Sequence, residues 1–213
     1  MNILYNIKEW SNGYLISSSY CIYENNQNKI IIWKKDLING NYEITKIFQS
    51  DQKALSILEI NNHKFVAYLE NNILLSYDSE SKKRNKILIL KTKKIFNKMI
   101  QVGKDGILLI IGNRLILFNV KNFIYKYLKV NYYINSICHM DNSKKYFLAS
   151  YSEDNNYGLL LLNINLQENR IFRIKKIFIK NAHSNVINCI YRLSDIKIIT
   201  GSTDNTYKIW EIK

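Results

Sequence analysis

Four residues near the end of the chain have the types and spacing to act on one another: His183, Thr200, Asp204 and Trp210. A hydroxyl, an imidazole and a carboxylate could form a nucleophile, its general base and the group that orients that base. Thr200 lies four residues before Asp204, and Trp210 six after it. No nucleophile elbow surrounds the hydroxyl, and no second activating group stands beside it. Other reactive side chains are more scattered. His63, His139 and His183 are remote from one another, and Cys138-His139 is an adjacent pair without further ligands in range. Gly103-Lys-Asp-Gly106 lacks the length and the following helix signal of a phosphate-cradling loop and reads as a turn. The sequence therefore leads us to expect no catalytic residue, no metal, no cofactor and no small-molecule substrate.

The segments that must position these residues repeat. Ala182-His-Ser-Asn-Val-Ile-Asn-Cys-Ile190 is followed by Lys197-Ile-Ile-Thr-Gly-Ser-Thr-Asp-Asn-Thr-Tyr-Lys-Ile-Trp-Glu-Ile-Lys213. Upstream, Ile134-Asn-Ser-Ile137 echoes Ile187-Asn-Cys-Ile190, and Leu148-Ala-Ser-Tyr-Ser-Glu-Asp154 echoes Ile198-Ile-Thr-Gly-Ser-Thr-Asp204. Strands comparable to the one ending at Trp210 finish near Trp33, Tyr77, Phe118 and Leu162, at intervals of 44, 41, 44 and 48 residues. Within each period, short β-branched and aromatic runs are divided by polar turns, the mark of closely spaced antiparallel strands. Few helices are expected. Their continuous apolar runs suit strands covered on both faces.

This pattern resembles the WD-repeat family, whose blades run Gly-His, strand, Ser/Thr-Gly-Ser strand, Asp turn, and a strand ending in Trp-Asp. Ala182 stands where that family usually has Gly, and Glu211 follows Trp210 in place of Asp. The resemblance implies an all-β fold: a β-propeller of about five four-stranded blades in one domain over 1–213. The blades fall at about 1–50, 51–94, 95–130, 131–180 and 181–213. It also implies that His183, Thr200, Asp204 and Trp210 form a buried hydrogen-bonded tetrad rather than a catalytic set. The fourth blade retains Ser150 and Asp154, the first retains Ser17 and Trp33, and the second and third lack the tetrad. The last blade lacks its outer strand, so the ring is irregular, open or part of a larger one. An open edge would invite strand addition by a partner.

Composition bounds the partners. The 31 Lys+Arg against 17 Asp+Glu give a net charge of +14, which favours nucleic acid or acidic proteins. The absence of Pro and the wealth of Ile, Lys, Asn and Tyr also fit A+T-rich coding. Basic residues gather at Lys82, Lys83, Arg84 and Lys86, at Lys91, Lys93, Lys94 and Lys98, and at Arg170, Arg173, Lys175, Lys176 and Lys180, suggesting a positive rim. Three distant cysteines suggest neither disulfides nor a metal site, and fit a reducing cytoplasmic or nuclear setting. No apolar run is long enough to span a membrane. The expected function is a non-catalytic scaffold for protein partners, contacted at Thr203, Glu153 and Tyr20. The alternative is an RNA-associated propeller, in ribosome assembly or RNA processing, using the basic rim.

Overall fold

A computed structural model describes residues 2–10, 13–21, 27–61, 63–81, 83–90, 96–121, 124–141, 145–164 and 178–211. Among the described residues, short apolar runs separated by turns give 19 strands and no helix. They form five antiparallel sheets in chain order. The first holds β1 (Asn2–Glu9), β2 (Tyr14–Cys21), β3 (Gln27–Lys35) and β4 (Tyr42–Ser50). The second holds β5 (Ala54–Asn61), β6 (Lys64–Leu69), β7 (Ile73–Asp78) and β8 (Arg84–Ile89). The third is β9 (Phe96–Val102), β10 (Gly106–Ile111), β11 (Arg114–Asn119) and β12 (Tyr125–Lys129). The fourth is β13 (Tyr133–His139), β14 (Tyr146–Glu153), β15 (Asn156–Asn163) and β16 (Phe178–His183). The fifth has three strands, β17 (Ile187–Arg192), β18 (Lys197–Ser202) and β19 (Tyr207–Glu211). The chain divides into two compact units, Met1–Lys93 with the first two sheets and Lys94–Lys213 with the other three.

The register shows one pattern five times. Trp33, Tyr77, Phe118, Leu162 and Trp210 sit opposite Leu15, Phe65, Ile107, Phe147 and Ile198 respectively. In each first strand the ladder skips one residue at the same place: after Leu4, Ala54, Phe96, Ile134 and Ile187. Such a bulge bends the strand and leaves local main-chain groups without ladder partners.

The preceding sheet supplies a donor. Ser18 Oγ donates to the Ala54 carbonyl at 3.0 Å, Asn97 Nδ2 to that of Ile134 at 2.6 Å, and Ser150 Oγ to that of Ile187 at 3.0 Å. Each is a side-chain peg from one sheet into the bulge of the next. Around the pegs the cores close. Ile16, Ile30 and Ile32 of the first sheet pack with Ile57, Phe65 and Ala67 of the second. Leu108 and Ile110 of the third pack with Ile134, Ile137 and Phe147 of the fourth. Leu148 and Leu159 of the fourth pack with Ile187, Ile190 and Ile198 of the fifth.

One glycine is required by close approach. A Cβ on Gly158 would stand 2.5 Å from the Ile179 carbonyl and 2.6 Å from the Tyr151 ring, so a larger residue would push β16 off β15.

Ser18 and Ser150 are both buried. Replacing either with Ala leaves a buried carbonyl without its donor and should lower unfolding free energy by about 1–3 kcal/mol. Denaturant unfolding checks this, with the half-buried Ser19→Ala as the near-neutral control.

Candidate functional site

The bulge in β17 and the hairpin that follows place Thr200 opposite Ile190 and Trp210 two residues out of register with it. Across that hairpin the indole Nε1 of Trp210 donates to Thr200 Oγ1 at 2.9 Å. His183 approaches from the end of β16, beyond the boundary expected at 180, and so belongs to the fourth sheet. The left-handed backbone of Asn181 (φ 53) and a break in the β15–β16 register carry the chain across. His183 Nε2 then lies 2.8 Å from Thr200 Oγ1, and Nδ1 lies 3.0 Å from Asp204 Oδ2.

Because the carboxylate can only accept, Nδ1 carries the proton. In the neutral imidazole, Nε2 then accepts from the Thr200 hydroxyl, which accepts from Trp210. Every donor in the chain indole, hydroxyl, imidazole, carboxylate has an acceptor. The network clamps the fourth sheet to the fifth, and Lys208 Nζ adds a bond to the Ala182 carbonyl at 2.6 Å.

The Asp204 carboxylate is saturated with donors. Oδ1 accepts from the Thr206 hydroxyl (2.6 Å) and its N–H (3.0 Å), while Oδ2 accepts from the Ser184 N–H (3.0 Å) and hydroxyl (3.3 Å) as well as from His183. The Thr206 hydroxyl, with help from His183 and the main-chain donors, holds this carboxyl well below the usual carboxylate range. Thr206 and Ser184 were missed in the sequence. The Asp-x-Thr spacing of a side-chain-capped turn is the signal that could have found Thr206.

Thr200 has no solvent exposure and His183 only 3%. Both side chains are thus buried within the hydrogen-bond network that joins the fourth sheet to the fifth. Cys138 and His139 alternate across β13: Cys138 packs with Leu148 and Ile187, whereas the His139 ring lies 5.0 Å from that of Phe147. They cannot share a metal. Burial pushes the Cys138 thiol up to about 11, away from an activated thiolate. Among the described residues no group of three or more His, Cys, Asp or Glu side chains is placed to hold a metal.

The first sheet repeats part of the network. Trp33 Nε1 donates to Ser17 Oγ at 2.8 Å in the same diagonal register as Trp210 and Thr200. In the fourth sheet the residue at the Thr200 position is Ala149, opposite Ile137, and not Ser150. Matching the two segments on Asp154 and Asp204 shifts them by one residue because their hairpins differ. β14 and β15 pair up to Glu153 and Asn156 around a two-residue turn, Asp154 (φ 43) and Asn155 (φ 63). β18 and β19 stop at Gly201 and Tyr207. Ser150 is the peg to the fifth sheet instead.

Thr203, Glu153 and Tyr20 lie at the second-to-third-strand turn of three different sheets. Thr203 and Glu153 are exposed, while Tyr20 is half-buried and pairs with Asn28. Thr203 also holds its own turn, its N–H reaching the Val186 carbonyl at 3.0 Å. Of the basic rim, Lys83 and Arg84 are exposed beside and on β8, and Arg84 Nη1 lies 3.5 Å from Asp51 Oδ2. Lys82, Lys93, Lys94, Arg170, Arg173, Lys175 and Lys176 lie outside the described residues. Lys98 is half-buried on the first strand of its sheet, and burial pushes its ammonium pKa down. Neither a protein-family model nor a curated protein matches the sequence.

Two outcomes test the clamp. The folded carboxyl of Asp204 titrates below its unfolded value, so its stabilisation is complete above about pH 4 and is lost as pH falls through the folded range. Melting temperature should therefore fall more steeply below about pH 4 for the natural chain than for Asp204→Asn. Trp210→Phe, which keeps the ring and deletes the donor, should lower unfolding free energy by about 1 kcal/mol, read by chemical denaturation.

Proposed function

We propose that this chain is a WD-type β-propeller protein that works as a non-catalytic scaffold in a multiprotein complex of the cytoplasm or nucleus. The repeated Trp-to-hydroxyl bond, the His183–Asp204 clamp and the five consecutive meander sheets support the family reading. The observation that carries the scaffold reading is the outer edge of β19. The bond from the Ser202 N–H to the Thr206 carbonyl (3.1 Å) sets the phase of the β18–β19 hairpin. Lys208 and Trp210 accordingly turn their main-chain groups toward β18, and Tyr207 and Ile209 turn theirs outward. Among the described residues no strand lies on that side. A row of outward N–H and C=O groups is a template for an extended segment of a partner protein. The turns bearing Thr203, Glu153 and Tyr20 offer a second contact region, and none of these contacts requires a cofactor, a small-molecule substrate or a membrane.

Proline at position 209 deletes an outward donor, and an edge strand tolerates it better than a central one. Ile209→Pro is expected to cut recovery of partner protein on the tagged chain by at least about fivefold, equivalent to one net hydrogen bond, with little change in melting temperature. Glu153→Lys combined with Thr203→Lys and Tyr20→Ala should weaken recovery independently. Unchanged recovery in both variants would remove the scaffold reading. Binding to single-stranded RNA that weakens steeply with salt would favour the RNA-associated alternative through the basic residues.

A further inference from the structure

Each sheet has two faces, and the register makes them comparable position by position. At the joints inside each compact unit, the face that carries the Trp210 position meets the preceding sheet, and the face that carries the peg meets the next. On the second face, one residue from each of the first three strands forms a row. The row is Ile100, Leu108 and Leu117 in the third sheet, and Cys138, Leu148 and Leu161 in the fourth. Ile100, Leu108 and Leu117 pack in the core shared with the fourth sheet, and Cys138 and Leu148 in the core shared with the fifth, with Leu161 half-buried beside them. In the fifth sheet the same row is Tyr191, Ile199 and Ile209. It lies open, with Tyr191 69% and Ile209 57% exposed.

A matching open face exists at the other end of the repeat. The fourth sheet is covered by Ile187, Ile190 and Ile198 of the fifth, with Trp210 packed against them. The corresponding residues of the first sheet are Leu4, Ile7, Leu15 and Trp33. They are nearly the same in chemistry. Leu4 is 55% and Ile7 56% exposed, and Ile44 and Ile47 of β4 extend the apolar surface on that side.

The polar fitting is also in place. The third sheet has the aliphatic Ile110 where Ser18 and Ser150 supply pegs, and uses its bulge residue Asn97 as the donor. The fifth sheet has Gly201 at that position, and its bulge residue is Asn188, which is exposed. Leu4 precedes the bulge of the first sheet, as Ile134 does in the fourth.

We infer that the open face of the fifth sheet binds the first-sheet face of a second copy of this chain, with Asn188 donating to the Leu4 carbonyl of that copy. The internal joint between the fourth and fifth sheets is the template for both halves. The contact is head-to-tail, so each molecule carries one socket and one plug. It concerns the faces of the sheets and stands apart from the scaffold reading, which rests on the β19 edge.

Sedimentation velocity on the purified chain tests it. The natural chain should associate with increasing concentration, whereas Tyr191→Glu and Ile7→Glu should each remain monomeric with melting temperatures close to the natural value. Mixing those two variants should restore a one-to-one complex and nothing larger, because one retains an intact first-sheet face and the other an intact fifth-sheet face. Asn188→Ala should weaken association roughly fivefold, the size of one net hydrogen bond. A natural chain that stays monomeric to about 100 times the concentration of a working assay overturns the inference, as does a mixture that fails to pair. Unaltered self-association in either single variant also overturns it. A monomer whose melting temperature collapses in both variants would show the two faces shielding each other within one chain, and would likewise overturn it.

Discussion

An antiparallel ladder interrupted by one extra residue turns a main-chain carbonyl away from its own sheet, and burying that group without a donor costs on the order of 1–3 kcal/mol. Here the interruption falls at the same point in the first strand of every sheet. At the three joints lying within a compact unit, the donor comes from the sheet before: Ser18, Asn97 and Ser150. Apolar packing alone would let two sheets slide over one another. A buried hydrogen bond at a fixed point sets both their spacing and their order.

The His183 clamp is a second device laid over this one. It joins the end of β16 to the β18–β19 hairpin and makes the last joint the most polar of the three. The first sheet keeps the Trp33–Ser17 bond, and in the second and third sheets the Trp210 position is filled by Tyr77 and Phe118. In the second sheet Tyr77 stacks on Phe65, with ring centroids 4.8 Å apart and planes within 4°. In the third, Phe118 stands opposite Ile107 and is fully buried. The framework therefore tolerates loss of the clamp as long as the volume beside the bulge stays filled.

Much of this was legible in the sequence because side-chain alternation and strand length are local. The five residues Trp33, Tyr77, Phe118, Leu162 and Trp210, picked out by period, share one register position. The clamp residues could be read through the resemblance to the WD-repeat family, since Thr200, Asp204 and Trp210 keep a fixed spacing along one hairpin and His183 stands at the family's position before it. Ser150 was misplaced because a two-residue turn and a longer one put equal spacings of Ser and Asp into different registers. The pegs were invisible for a different reason. Their donors vary between Ser and Asn, and each joins residues on separate sheets, where no local pattern marks the pair. The partial burial of Lys98 was not legible because a lysine in a basic cluster reads as surface until the strand that carries it is placed.

The separation between peg and acceptor is 36, 37 and 37 residues at the three joints. In all three the donor comes earlier in the chain than the carbonyl it serves. A ribosome delivers polypeptide from the N-terminus, so the donor side of each joint exists before its acceptor side is made. Synthesis from the N-terminus therefore presents each peg on a sheet already made when the strand carrying its acceptor emerges.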